Sequence, residues 1–139
     1  MKSQRQEIEE KTVIWISYAD EDLSTAQVAL TLTTSIPYRI IAFHSQQCAE
    51  KYLKAYLIHH EIEFPYTHNI SLLLEMCARK GNWALMLEEA EILSSYASTL
   101  RYPSDSIKIT KDDAIKAVET AVRVKEAVRN ALMEEGLKL

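Results

Sequence analysis

The chain has 139 residues, 47% of them hydrophobic and 26% charged, with 16 Lys plus Arg against 20 Asp plus Glu and a formal net charge of −4. That length suits a single domain able to bury roughly 68–70% of its unfolded surface, and the composition excludes a disordered chain. The two glycines disfavour all-β folds and phosphate loops, which need glycine for tight turns and close backbone approach, and the acidic balance gives no general reason to bind nucleic acid.

Pro37, Pro65, Gly81, Pro103 and Gly136 divide the sequence into five stretches, each with helical spacing and none with sustained strand alternation. In the first, to about residue 34, Trp15, Ala19, Leu23, Ala26 and Leu30 form one face, and the charged head before Thr12 can fray. The second, Tyr38 to His60, is apolar on more than one side: Ile41, Cys48, Tyr52 and Ala55 on one, Ile40, Phe43 and Leu57 on another. Such a helix belongs at the centre of a bundle. The third, His68 to Lys80, has Thr67 or Asn69 as its cap and ends at Gly81 behind the basic pair Arg79-Lys80. The fourth runs from Trp83 to Leu100 with Asn82 as cap and Leu85, Ala90, Leu93, Ala97 and Leu100 inward. The fifth starts at Thr110, with Asp113 at the capping-box position, carries an Ala114–Leu132 apolar stripe and closes at Gly136. The one long irregular connection is Arg101 to Ile109. The expectation is all-α: a single domain over residues 1–139, an antiparallel up-and-down helical bundle of about five helices.

No run approaches the ~18 apolar residues of a membrane span. The opening MKSQRQEIEEK is charged without an apolar signal core, so a cytoplasmic protein is expected. Cys48 and Cys77 cannot make a disulfide framework, fit a reducing compartment and sit on apolar faces as core thiols. Trp15, Trp83 and Phe43 are expected in the core.

The second helix carries a polar strip of Gln46, Gln47, Glu50, Lys51 and Lys54. Gln47, Lys51 and Lys54 stand four and three apart, and Glu50–Lys54 is an i,i+4 pair in its better orientation. The strip reads equally as a solvated face or as a groove lining that takes phosphate or a nucleotide. In YASTLRYPSD, Pro103 puts Arg101 and Tyr102 in a last helical turn. There Arg101 either offsets the helix dipole or binds phosphate bidentately with Tyr102 beside it. The histidines are His44, His59, His60 and His68. Adjacent His59 and His60 diverge by about 100° on a helix, and no ExxH motif is present, so no metal site is expected; His68 can cap or hydrogen-bond locally. No GxxxxGK[ST], GxGxxG or GxSxG is present.

Taken in order, four segments resemble the HEPN (higher eukaryotes and prokaryotes nucleotide-binding) family. DEDLSTAQVA (20–29) resembles its first-helix pattern. FHSQQCAEKYLKAYL (43–57) resembles its QQxxEKxLKAxL helix. FPYTHNISLL (64–73) resembles its P-x-T-H turn into a short helix, and the RYP of residues 96–105 resembles a helix end. The resemblance implies an all-α bundle, a homodimer, and a toxin–antitoxin-like setting beside a small nucleotidyltransferase. Some members are metal-independent ribonucleases with a late Arg-x4–6-His motif, in which His is the general acid–base and Arg stabilises the phosphate. Here Arg101 would place that His at 106, 107 or 108, which are Ser106, Ile107 and Lys108, and no His follows His68. Arg39 and His44 fit the spacing at the wrong place. Losing a general acid–base costs roughly 10²–10⁴ in rate. The expectation is therefore a non-catalytic module with no catalytic residue, cofactor or metal, which binds a nucleotide, another phosphate-bearing ligand or a nucleotidyltransferase partner. Its candidate residues are Gln47, Glu50, Lys51, Lys54, His68, Arg101 and Tyr102. A ribonuclease toxin with an altered site and a purely structural dimerising bundle are the alternatives.

Overall fold

Ser3 starts helix α1 (Gln4–Leu30) with a capping box: its Oγ accepts the Gln6 N–H at 3.1 Å, and the Gln6 side chain accepts the Ser3 N–H at 2.9 Å. The charged head, for which fraying is expected, is thus helical from Gln4. Arg5 anchors it further by donating to the His59 carbonyl at 3.0 Å. The helix stops at Leu30 rather than near residue 34. Thr31 caps it by turning its hydroxyl onto the Val28 carbonyl at 2.6 Å, and Ser35 then takes a left-handed φ of 51°.

The computed structural model describes residues 1–98 and 108–139. After α1 come α2 (Tyr38–His59), α3 (Ile70–Ala78), a 3₁₀ segment (Asn82–Tyr96) and α4 (Lys111–Glu134), with no strand among the described residues. The all-α expectation holds. The RYP segment with Arg101 and Tyr102, Leu100, and most of the Arg101–Ile109 connection lie outside the described residues.

α2 is the centre of the molecule, as its all-round apolarity predicts, and packs against every other element. Ile41, Cys48, Tyr52, Leu53, Tyr56 and Leu57 are all at most 1% exposed. Cys77 of α3 is likewise buried, and desolvation pushes its thiol up to about 12. Trp15, Phe43 and Trp83 are only half-buried: Trp15 meets Phe64 edge-on, and Trp83 meets Tyr56 edge-on with ring centroids 4.8 Å apart.

Side-chain pairings fix the helix directions. Arg5 lies beside His59 and Asp22 beside His44, so α1 and α2 are antiparallel. Tyr52 of α2 and Lys125 of α4 both reach Asp20, and His60 just past α2 meets Glu135 just past α4, so α4 runs parallel to α2. The excursion through α3 and the 3₁₀ segment returns the chain to the start of α4. These two elements are antiparallel, since the Ile70 N–H donates to Ser94 Oγ at 2.9 Å and Ser71 to Glu91 at 3.0 Å. Asn69 rather than His68 opens α3, its side chain accepting the Leu72 N–H at 3.1 Å. Thr110 and Asp113 make the expected capping box at α4.

The 3₁₀ segment departs from the expected fourth helix. Its buried residues are Ala84, Leu87, Ala90 and Leu93, a strict spacing of three that matches three residues per turn. Leu85, expected inside on a 3.6 period, is therefore turned outward and 66% exposed. Long 3₁₀ runs are uncommon, and this one is broken by non-helical torsions at Leu87 (φ −114°, ψ 23°). Asn82 does not cap it; Gly81 holds that place without a side-chain bond. A Cβ on Gly81 would fall 2.3 Å from Trp83 Nε1, so only glycine lets the indole fold back there.

Candidate functional site

α2 presents two polar rows, and they look in different directions. Residues 46, 50 and 54 are four apart and turn toward the Phe64–His68 loop. Residues 44 and 51, seven apart, turn toward α1. The strip Gln47–Lys51–Lys54 is thus divided. Lys51 pairs with Asp22, which also takes His44 Nδ1 at 2.8 Å. Gln47 donates to Gln46 Oε1 at 2.7 Å.

Lys54 belongs to a buried group around Glu50. One Glu50 oxygen receives Gln46 Nε2 at 2.9 Å and His68 Nδ1 at 2.7 Å; the other receives Lys54 Nζ at 3.0 Å. The Glu50 and Lys54 side chains are only 6% and 7% exposed, so the solvated-face reading does not hold for this pair. The Lys54 ammonium also stands 5.5 Å from the Phe64 ring centroid and 6.0 Å from that of Trp15. Burial alone would raise the Glu50 carboxyl, but the bonds from Gln46, His68 and Lys54 outweigh it and hold the group below its ordinary value.

The loop after α2 is shaped to deliver His68 to this carboxylate. Phe64 covers Lys54, Thr67 Oγ1 accepts the Asn69 N–H at 3.0 Å, and Asn69 caps α3. With Nδ1–H given to Glu50, the Nε2 lone pair of His68 points away from the core, 3.4 Å from the hydroxyl of Tyr66. Tyr66 is 91% exposed. Glu50, Lys54 and His68 are brought together; Lys51 lies on the other row; Arg101 and Tyr102 fall outside the described residues.

The α1–α2–α4 seam holds a second polar group that sequence reasoning missed. Asp20 accepts the Tyr52 hydroxyl and pairs with Lys125 at 3.1 Å and Arg129 at 4.0 Å. Its signal in the sequence is the acidic pair Asp20 and Asp22, two apart on a helix, which cannot face one neighbour and so reach different ones.

The family model described as HEPN domain matches residues 12–131. The chain belongs to the HEPN family. This HEPN chain is 32% identical over 142 aligned positions to the protein named "Putative toxin MJ1304" of Methanocaldococcus jannaschii, covering 90% of this chain and 91% of that one. TT1696 from Thermus thermophilus has a crystal structure that matches at a TM-score of 0.75 and 25% identity, over 86% of this chain and 97% of the other. The crystal structure of ST0689, described as an archaeal HEPN homologue, matches at 0.68 and 28% identity, over 86% and 96%. The four segments that resemble the family fall on α1, on α2, on the loop into α3, and on the end of the 3₁₀ segment with the residues that follow it. In this HEPN chain the QQxxEKxLK run supplies Gln46, Glu50 and Lys54 to the buried group, while its Lys51 turns to Asp22.

Proposed function

We propose that this protein is a non-catalytic HEPN module of a toxin–antitoxin-like pair, acting by binding a small nucleotidyltransferase partner or a phosphate-bearing nucleotide, with a homodimer as its working unit. The observation that carries the non-catalytic reading is that Ser106, Ile107 and Lys108 stand where the family's histidine would follow Arg101, and the pairing of Lys51 with Asp22 and of Lys54 with Glu50 takes both lysines out of phosphate binding. Nucleotide binding would then draw on Arg101 and Tyr102. No histidine follows Arg101 at all, so none is placed there to move a proton. The name of the Methanocaldococcus relative supports the toxin-like setting. The test is co-expression of the full chain with the product of the neighbouring reading frame, followed by calorimetry with a small nucleotidyltransferase, if that frame encodes one, and with a nucleotide panel. Co-purification, or saturable binding lost in Arg101→Ala, is expected; no binding to any of them would overturn the reading. Size-exclusion with light scattering at micromolar concentration reads the dimer, and a monomer removes that part.

A second reading, RNA cleavage at an altered site, has one observation in its favour. His68 is 41% exposed and oriented by a buried carboxylate, the arrangement of a general acid–base. RNA cleavage by the purified protein, abolished by His68→Ala and retained by Lys51→Ala, would favour it over the first.

A further inference from the structure

At the end of the bundle away from the α1–α2 loop, α2 and α4 finish side by side with the same backbone device. The Ile62 N–H returns to the Leu57 carbonyl at 2.9 Å and Glu61 to Ile58 at 3.0 Å; the Leu137 N–H returns to Leu132 at 3.0 Å and Gly136 to Met133 at 3.0 Å. Both are Schellman turns, with Glu61 (φ 55°) and Gly136 (φ 98°) in the left-handed position. The capping residues of the two turns, His60 and Glu135, therefore face each other. His60 is the C-cap of α2 (φ −92°, ψ 6°) and its N–H still returns to the Tyr56 carbonyl, so the two side chains leave the backbone in different directions and meet only through their rings. The two imidazoles converge, with ring centroids 5.1 Å apart. One ligand atom from each of His59, His60 and Glu135 lies within 4.8 Å of the others.

We propose that His59, His60 and Glu135 form a binding site for a divalent first-row cation of the zinc class. Two imidazoles and one carboxylate are the donor set that zinc takes when it keeps a fourth position open. His60 Nε2 is buried and lies 2.6 Å from Glu135 Oε1, yet it has no aligned hydrogen-bond partner. A buried ring nitrogen aimed past its neighbour needs another partner. The surrounding cleft is lined by Glu9, Glu61 and Glu135 against the single guanidinium of Arg5, which favours a cation.

Arg5 is the competitor. Its Nη2 lies 2.6 Å from His59 Nδ1 and 3.2 Å from Nε2 and covers that edge of the ring. Its side chain has an alternative neighbour in Glu9, 3.6 Å away and one turn along α1. Metal binding at this site therefore expels the guanidinium toward Glu9, and the cation takes its place.

The test uses the untagged full chain, titrated with Zn²⁺ by calorimetry and with Co²⁺ by visible absorption. One equivalent per chain is expected, with Co²⁺ bands of a nitrogen–oxygen site. Affinity should fall at least about tenfold in Glu135→Gln and in His60→Gln, and rise in Arg5→Ala. Glu135 is one-third exposed, so its glutamine variant keeps the fold, which circular dichroism checks. Absence of binding in both the wild type and Arg5→Ala, or binding unchanged in Glu135→Gln and His60→Gln, would overturn the proposal.

Discussion

Glu50 shows how one carboxylate can decide the character of a helix. It takes three donors from three different positions and keeps Gln46 and Lys54 turned inward, while His68 stays partly open to water. Removing one partner of a buried ion pair strands the other and costs roughly 3–5 kcal/mol, whereas replacing both with apolar groups is often neutral. Lys54→Met should therefore lower stability by about that amount in urea unfolding, and adding Glu50→Gln should restore a large part of it. An additive double variant would show that the pair is not coupled. The lowered carboxyl pKa of Glu50 fixes the sign of its pH dependence. The unfolded chain binds the proton more readily than the native one, so the contribution is fully present above the ordinary glutamate value and is lost as pH falls through the depressed native one. The urea midpoints of wild type and Glu50→Gln should thus converge on acidification below about pH 4.5, taking the ordinary glutamate value as reference. The motif was legible as Gln, Glu and Lys at fixed spacing. Whether it met water was not, because the partner that buries it, His68, lies 18 positions away across a turn.

Among the elements, the 3₁₀ segment carries the clearest lesson. Apolar residues at 84, 85, 87, 90 and 93 satisfy a helical period of 3.6 nearly as well as a period of three, and the choice falls to the packing surface offered by α3 and α4. The structure takes every third residue. Leu93→Ala, which empties a fully buried position, should cost roughly 2–5 kcal/mol, while Leu85→Ala on the exposed side should stay within about 0.5 kcal/mol. Equal costs in thermal or urea unfolding would contradict the three-residue period. The capping boxes at Ser3 and Thr110 differ in legibility for a simple reason. Thr110-x-x-Asp113 precedes a clean apolar stripe, whereas Ser3-x-x-Gln6 precedes charged residues, so only the first stood out.

At the level of the whole molecule, the all-α class, the central place of α2 and the family were readable, because local periodicity and four short segments carry them. Up-and-down alternation was the expectation for helix direction; that α4 runs parallel to α2 was not legible, since it is set by pairs such as Asp20 with Tyr52 and Lys125, which are far apart in the chain. Asp20 ties three helices at one point. Asp20→Ala should cost roughly 1–3 kcal/mol by leaving the buried Tyr52 hydroxyl without its acceptor, whereas Lys125→Ala at the half-exposed end of the same group should cost about 1 kcal/mol or less. A reversed order in equilibrium unfolding would place the weight on the ion pair instead.

The protein has two tryptophans, and they occupy unrelated surroundings. One stands 6.0 Å from the Lys54 ammonium, and the other lies against Tyr56 behind Gly81. A Trp83→Phe variant would therefore leave a single indole fluorophore beside the Glu50–Lys54 pair. Its emission would be an intrinsic optical gauge of any ligand, partner or proton that disturbs that centre, with no label attached.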